Sequence, residues 1–421
     1  MTVGLRYLVV DLSIATRTER DSLGRVLRTV DGNGNAVRVA YVANGVDQVA
    51  SLWDGNGNQT RWNYDEWGLA TNKVYADGSQ EVYRYDLLGR LANKLDPAGN
   101  TTTFAYDANG NLTSLQRGAS APFTFAYDAL DRRTNMVDSV GATSWRYDAM
   151  GRLVGESGPF GTPEVQVAYD PNGRLTNVTW GAFSVDYAFD DLGRIVAVAA
   201  PEGTYAFTYL SNGIRRATVA YPNGVTEVRA HDALARCTSL AFLSGTNPLL
   251  SIAYAYDDGD RRTNETWSTG RAMAYGYDDA HQLTSVSASR PSDAARYRYD
   301  AAGNPVDRAE LGLDVTNSFN NLNQIVSGSW TGATLTVAGS VNYPSGSISV
   351  NGQPGTVYPD SSFDVAAVPV APGTNTLTAT YVGPAFTNVP MTAADTSTVV
   401  LGDTAYTHDA NGNLTSQVGW A

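Results

Sequence analysis

The sequence predicts an all-β chain built as one continuous antiparallel ribbon of β-hairpins, and three observations carry that expectation. The pair Tyr-Asp, followed by a Gly-Arg-Leu-like run, returns every 20 to 25 residues over almost all of the 421 residues. Self-similarity at such a period marks a repeat architecture, in which each unit packs only against its neighbours. Aromatic residues recur two apart just ahead of the repeat Asp, and Gly stands three residues after it in most units. The first spacing belongs to one face of a strand, and the second to a tight turn with a left-handed corner.

Set on the Asp, the frame falls at Asp21, Val42, Asp65, Asp86, Asp107, Asp128, Asp148, Asp170, Asp190, Leu210, Asp232, Asp257, Asp278, Asp300 and Asn320, and it returns at Asp409. Strands are read from Trp62 and Tyr64, Phe125 and Tyr127, Trp145 and Tyr147, Tyr254 and Tyr256, and Tyr297 and Tyr299. Turns are read from Gly24, Gly45, Gly68, Gly89, Gly110, Gly151, Gly173, Gly193, Gly213, Gly303 and Gly412. Where that Gly is replaced, Asp131, Asp260, His281 and Asn323 are types that tolerate positive φ, whereas Ala235 does not and predicts a distorted turn. The repeat Asp reads as a turn residue whose carboxylate accepts hydrogen bonds from amides just downstream. A second turn follows at Asp31-Gly32-Asn33-Gly34-Asn35, Asp54-Gly55-Asn56-Gly57-Asn58, Asp77-Gly78, Asp96-Pro97-Ala98-Gly99-Asn100 and Gly118-Ala119-Ser120, so each unit is one hairpin.

The signature positions are accordingly structural: Tyr85, Asp86, Gly89 and Arg90; Tyr106, Asp107 and Gly110; Tyr127 and Asp128; Tyr147, Asp148, Gly151 and Arg152; Tyr169, Asp170, Gly173 and Arg174. This pattern resembles the RHS/YD-repeat family, whose members include rearrangement-hotspot proteins, the shell components of Tc toxins, wall-associated proteins and teneurins. The match covers residues 15–326 and 403–421, with residues 1–14 as a lead-in. The resemblance implies a ribbon that spirals into a hollow shell, here a partial one. Sixteen hairpins at roughly 4.8 Å per strand give a ribbon on the order of 150 Å wide, little more than one turn at ~20 Å radius. Its two end strands would then offer unpaired backbone groups to further repeats or to another copy. Toxin-bearing members of the family follow their repeats with a self-cleaving core and a variable toxin. This sequence stops within a repeat at Gly419-Trp420-Ala421, so neither activity carries over to any residue of it.

From Ser327 to Gly402 the period stops, and Lys and Arg vanish after Arg308. Residues 347–354, 362–370 and 373–381 alternate as strands do. They are similar to a bacterial Ig-like or carboxypeptidase-regulatory-like β-sandwich. Because the repeat resumes at His408-Asp409, residues 327–402 are expected to form an inserted β-module protruding from a hairpin loop, with 403–421 a final partial repeat.

Chemistry is sparse. A formal charge of −13 argues against nucleic acid, whose phosphates need a basic surface. No apolar run reaches the 18 residues of a membrane span. Leu8-Val9-Val10 is too short for the core of a signal peptide, so the start belongs to a longer protein or export takes another route. Cys237 occupies a repeat Leu slot and reads as a buried small apolar residue. His231 and His408 fill the Tyr slot and His281 a turn slot, which leaves no histidine for a catalytic triad. The Asp-Gly-Asn-Gly-Asn loops alternate oxygens as a calcium loop would, but their sixth and twelfth positions are Ala36 and Val42, and Gln59 and Asp65, which favours plain turns. Asp190-Asp191, Asp257-Asp258 and Asp278-Asp279 read as solvated turns. The aromatic ladder reads as cross-strand packing within the sheet, ahead of a sugar-stacking platform.

No catalytic, cofactor-binding or metal-binding residue is therefore expected. The expected function is that of a non-enzymatic shell segment of a secreted or cell-surface protein, a scaffold for adhesion or carbohydrate contact with glycans or surface proteins as partners. The alternative is a container segment whose partners are further RHS repeats or a toxin of the same parent. A hydrolase is the third class.

Overall fold

The computed structural model describes residues 8–10, 16–43, 47–160, 163–210, 213, 215–386 and 389–418. Among them the chain is nearly all β, as its aromatic alternation predicts, and its one helical element is a 3-10 turn at Pro291–Asp293. It forms two compact units, residues 1–80 with 252–421, and residues 81–251.

In the unit of residues 81–251, each strand pairs antiparallel with its sequence neighbours. Strand Thr101–Tyr106 lies between Leu91–Leu95 and Leu112–Arg117, with Thr102 opposite both Lys94 and Arg117. The register slips by one residue at Ala105/Tyr106, and likewise at Ala126/Tyr127, Arg146/Tyr147 and Ala168/Tyr169. The turn causes the slip. Asp107 N donates to Asn111 O at 3.0 Å, Gly110 N donates to Asp107 O at 3.2 Å, and Gly110 sits at φ 94. This is a hairpin closed by a one-residue bulge with a left-handed corner.

Asp131, Asp260, His281 and Asn323 take that corner at φ 60, 61, 65 and 59. Ala235 takes it too, at φ 75, and keeps the turn hydrogen bonds Ala235 N to Asp232 O and Asp232 N to Arg236 O. The expected distortion does not occur. The flanking hairpin imposes the corner, and Ala235 bears the strain, on the order of 1 kcal/mol. Gly45 lies outside the described residues.

The repeat strands alternate between exposed and half-buried positions, as in Thr101–Tyr106. The contiguous buried core of the molecule lies in the inserted segment. In each unit, repeat strands such as Thr101–Tyr106 and Ala295–Tyr299 carry exposed side chains on one face and half-buried ones on the other, and the buried cluster contains none of them. The sheet there is a single layer that water reaches on both faces, without the second layer that usually buries a sheet.

In the unit of residues 1–80 and 252–421, strands Ile325–Thr331 and Thr404–His408 pair directly, with Ser327 opposite Ala405 and Gly328 opposite Thr404. The insert leaves and rejoins the ribbon between those neighbours. Ser327–Thr331, assigned to the insert where the Tyr-Asp signature ends, belong to the ribbon, because strand pairing with Leu313–Phe319 outlasts the signature. The insert holds two small sheets. One comprises Thr334–Ser340, Ser362–Pro369 and Thr356–Val357; the other comprises Gln353–Pro354, Ser347–Val350, Gly373–Phe386 and Val389–Leu401. Ile348, Val350, Phe363, Val365, Val368, Leu377 and Tyr381 form the core.

The insert does not simply protrude. Arg290, on the ribbon, is buried and donates to Asp360 at 2.9 Å and to Ser362 Oγ at 2.6 Å while stacking 4.2 Å over the Tyr358 ring. Ser292 N donates to Asp364 Oδ2 at 3.2 Å, and Thr336 N donates to Leu311 O at 2.6 Å. Desolvation would raise the Asp360 pKa, but hydrogen bonds from Ser362 and Arg290 override it and take the value down to about 2.

Candidate functional site

The signature residues converge on one edge of the ribbon, where the turn chemistry builds a clamp between consecutive repeats. Asp148 shows its parts. Its Oδ1 accepts from Met150 N at 2.9 Å and Arg152 N at 2.9 Å, and its Oδ2 accepts from Arg152 Nε at 2.7 Å. The Arg152 amide holds the carboxyl below the ordinary carboxylate range against desolvation, and the guanidinium adds to it. Asp170 with Arg174 and Asp190 with Arg194 repeat the arrangement.

Arg152 then reaches forward. Its guanidinium lies 4.7 Å from the centroid of the Tyr169 ring and donates to Asp170 O at 3.2 Å, both in the next repeat. Arg90 does the same to Tyr106 and Asp107, Arg132 to Tyr147 and Asp148, and Arg261 to Tyr277 and Asp278. The tyrosines reach back: Tyr106 Oη donates to Leu91 O at 2.9 Å and Tyr127 Oη to Leu112 O at 2.9 Å. Ion pair, cation–π contact and backbone hydrogen bonds thus replace the missing second layer. The sequence marked Arg90, Arg152 and Arg174 as signature positions without revealing this forward reach. The signal was present, since an aromatic residue stands before the next frame position at Tyr106, Tyr169 and Phe189. Where ring stacking was expected along the ladder, Tyr205 and Tyr221 do meet edge to face at 5.9 Å. Elsewhere a guanidinium commonly takes the place of the neighbouring ring.

A second device joins distant parts of the ribbon within the unit of residues 1–80 and 252–421. The Asp-Gly-Asn-Gly-Asn turns seat on repeat turns far along the chain. Asn33 Nδ2 donates to Asp278 Oδ2 and Asn56 Nδ2 to Asp300 Oδ2, each at 2.9 Å, and Asn323 Nδ2 donates to Asp54 Oδ2 at 2.9 Å. The backbones approach so closely that a Cβ on Gly32 would lie 1.8 Å from Asp279 O, and one on Gly55 1.7 Å from Ala301 O. Asp31 and Asp54 are occupied within their turns by Asn35 and Asn58. The seat follows from repeat chemistry: Gln282 and Asn304 replace the clamp Arg, which leaves Asp278 and Asp300 able to accept from the incoming Asn.

The other candidates fall into structural roles. Asp190, Asp257 and Asp278 sit in turns, and Cys237 is half-buried with Sγ 3.4 Å from Ser239 O. His231 Nδ1 is buried without a hydrogen-bond partner. Carboxylates among the rings are engaged: Glu227 accepts from Tyr221 Oη and Arg229, and Glu265 from Trp267 Nε1 and Arg262. Glu310 accepts from Tyr297 Oη at 2.6 Å, which pushes that phenol up to about 12.

The RHS repeat family model matches residues 85–122 and 127–163, and the teneurin YD-shell model matches residues 156–247. Over those residues the chain is similar to RHS/YD repeats. No curated protein sequence matches the chain. Among solved structures, the crystal structure of TcdB2-TccC3 is similar with TM-score 0.66 at 15% identity, over 96% of this chain and 22% of that one. The TcdB2-TccC3-Cdc42 crystal structure gives 0.64 at 15% identity, over 95% and 22%. A Tc holotoxin pore of Photorhabdus luminescens gives 0.64 at 15% identity, over 96% and 21%. The chain spans about a fifth of the length of those chains. At that identity the likeness carries the fold, a YD-repeat shell, and leaves activity to be argued from residues.

Proposed function

We propose that this chain is a non-enzymatic wall segment of a YD-repeat container, working outside the producing cell and enclosing a cargo encoded beyond these residues. One observation carries the reading: the repeats form a single layer with water on both faces, held by clamps within its own plane. A sheet built that way separates two compartments, whereas a catalytic or binding domain of this size normally surrounds a core. Partners of the proposed wall are further repeats and the cargo itself.

The adhesion and glycan reading has less support. A sugar platform needs free ring faces, and Tyr106, Phe125, Tyr147, Tyr169 and Tyr254 each carry a guanidinium 4.2–4.8 Å from the ring centroid. The test is protease protection of a disordered polypeptide fused after Ala421 of the full chain. The wall reading expects slower digestion than for the free polypeptide, together with a blank glycan array. Equal digestion rates, or saturable glycan binding, would overturn it.

A further inference from the structure

We propose that residues 81–251 carry a self-complementary pair of docking edges, through which a second copy of this chain seats its second-turn edge on the first-turn edge. On the first-turn edge, the residue two after the repeat Asp is Leu88, Leu130, Met150, Leu192 or Leu234, each 69–77% exposed. Successive repeats are two strands apart, about 10 Å, so Leu130 and Met150 are neighbours, while the other apolar tips stand about 20 Å apart with Asn109 or Asn172 at the same position in a repeat between them. The opposite edge carries Val140, Phe160, Trp180 and Phe183, 47–90% exposed. The turn tips at 138–141, 158–160 and 180–183 hold one charge, Asp138, which is taken up by the amides of Val140 and Gly141. Exposed apolar side chains in this number mark association surfaces, and the turn tips at 138–141, 158–160 and 180–183 carry little of the charge that guards open edges.

The docking geometry already exists in the other unit, where second turns at 31–35 and 54–58 seat on first turns at 278–281 and 300–303. There the residues two after the Asp are Ala280 and Ala302, and both are half-buried. In residues 81–251 the same position is large, apolar and bare at Leu88, Leu130, Met150, Leu192 and Leu234. The Oδ2 atoms of Asp128, Asp148, Asp190 and Asp232 are held by the clamp arginines. The guanidinium neutralises each of those carboxylates and so weakens them as acceptors for an incoming Asn, and burial of the apolar tips must supply most of the contact. A second copy fits because both edges belong to one ribbon and share one pitch, which gives a head-to-tail contact between unlike edges.

The experiment is sedimentation velocity on the full chain across roughly 1 to 100 µM, where a moderate complex is resolved. One variant, Leu130→Asp with Leu192→Asp, removes the first-turn edge; another, Trp180→Gln with Phe183→Ser, removes the second. The parent is expected to associate with concentration. Each variant should associate at least about tenfold more weakly, as loss of two buried apolar side chains requires, with an unchanged far-ultraviolet spectrum. An equimolar mixture of the two variants should recover a 1:1 dimer and nothing larger, because one intact edge remains on each partner. A monomeric parent throughout the range, variants that associate like the parent, or a mixture that stays monomeric would each overturn the proposal.

Discussion

Gly32→Ala and Gly55→Ala isolate the seat between distant turns, because the sign of their effect depends on it. Neither glycine occupies the left-handed region, so in a free hairpin Ala would stabilise by about 0.4–1 kcal/mol through the unfolded chain. In the folded chain the added Cβ would stand 1.8 Å from Asp279 O and 1.7 Å from Ala301 O, backbone atoms with no rotamer to yield. Reaching ordinary contact requires the turns to part by roughly 1.5 Å, which breaks the Asn33–Asp278 and Asn56–Asp300 bonds. At these exposed sites such a bond contributes about 1 kcal/mol, and the lost packing brings the expected destabilisation to about 2 kcal/mol for each substitution. Gly78→Ala is the control: φ is 87 with nothing within 4 Å, so it incurs left-handed strain alone, about 1 kcal/mol. Urea unfolding gives the free energies, and hydrogen exchange at residues 31–35 locates the opening. A Gly32→Ala protein as stable as the parent, or more stable, would refute the reasoning.

Further outcomes follow from the same geometry. Ala235→Gly should stabilise by about 1 kcal/mol, and His281→Val should destabilise by about 1–2 kcal/mol, because both sit at a left-handed corner; thermal melts decide both. Asp360 has a folded pKa of about 2 against an ordinary 3.8, so its stabilisation is complete above pH 4 and is lost as pH falls through 2. Discounted for its exposure this is about 1–2 kcal/mol, and an Arg290→Met protein should flatten the acid limb of a stability-against-pH curve over that window. Excising residues 332–403 and bridging Thr331 to Thr404 with Gly-Ser should leave the ribbon folded, since the flanking strands already pair. It should cost about 2–4 kcal/mol as Leu313 and Arg290 lose their cover, and a collapse of the β circular-dichroism signal would contradict that.

The hairpins were legible because each repeat restates one backbone demand. A residue able to take positive φ three after the Asp is a local signal, and His281 and Asn323 obeyed it as the glycines did. Ala235 shows the limit of that rule, since a hairpin paired on both sides can impose the corner on a residue that disfavours it. The Arg–Asp pair of the clamp is also local, four residues apart. Its second half is not local, because Arg152 meets Tyr169 only after the chain has turned twice. Gly32 and Gly55 carried a hint in exceeding what their turns require, but what they touch lies about 245 residues away in sequence. The docking of the insert had no local signal, because Arg290 and Asp360 lie 70 residues apart and only tertiary packing brings them together and buries the arginine.

The central claim, a single-layer wall with water on both faces, is tested most directly by thiol accessibility on one strand. Thr102→Cys and Thr103→Cys place a thiol on opposite faces of strand Thr101–Tyr106, one half-buried and one exposed, and Val350→Cys, at a position fully buried in the insert core, is the protected reference. With a neutral thiol reagent under native conditions, the wall predicts that both faces react within about tenfold of each other, while the Val350→Cys protein reacts only through unfolding. If the Thr102→Cys thiol is instead protected to the level of the Val350→Cys reference, a second layer covers that face and the account of a wall fails.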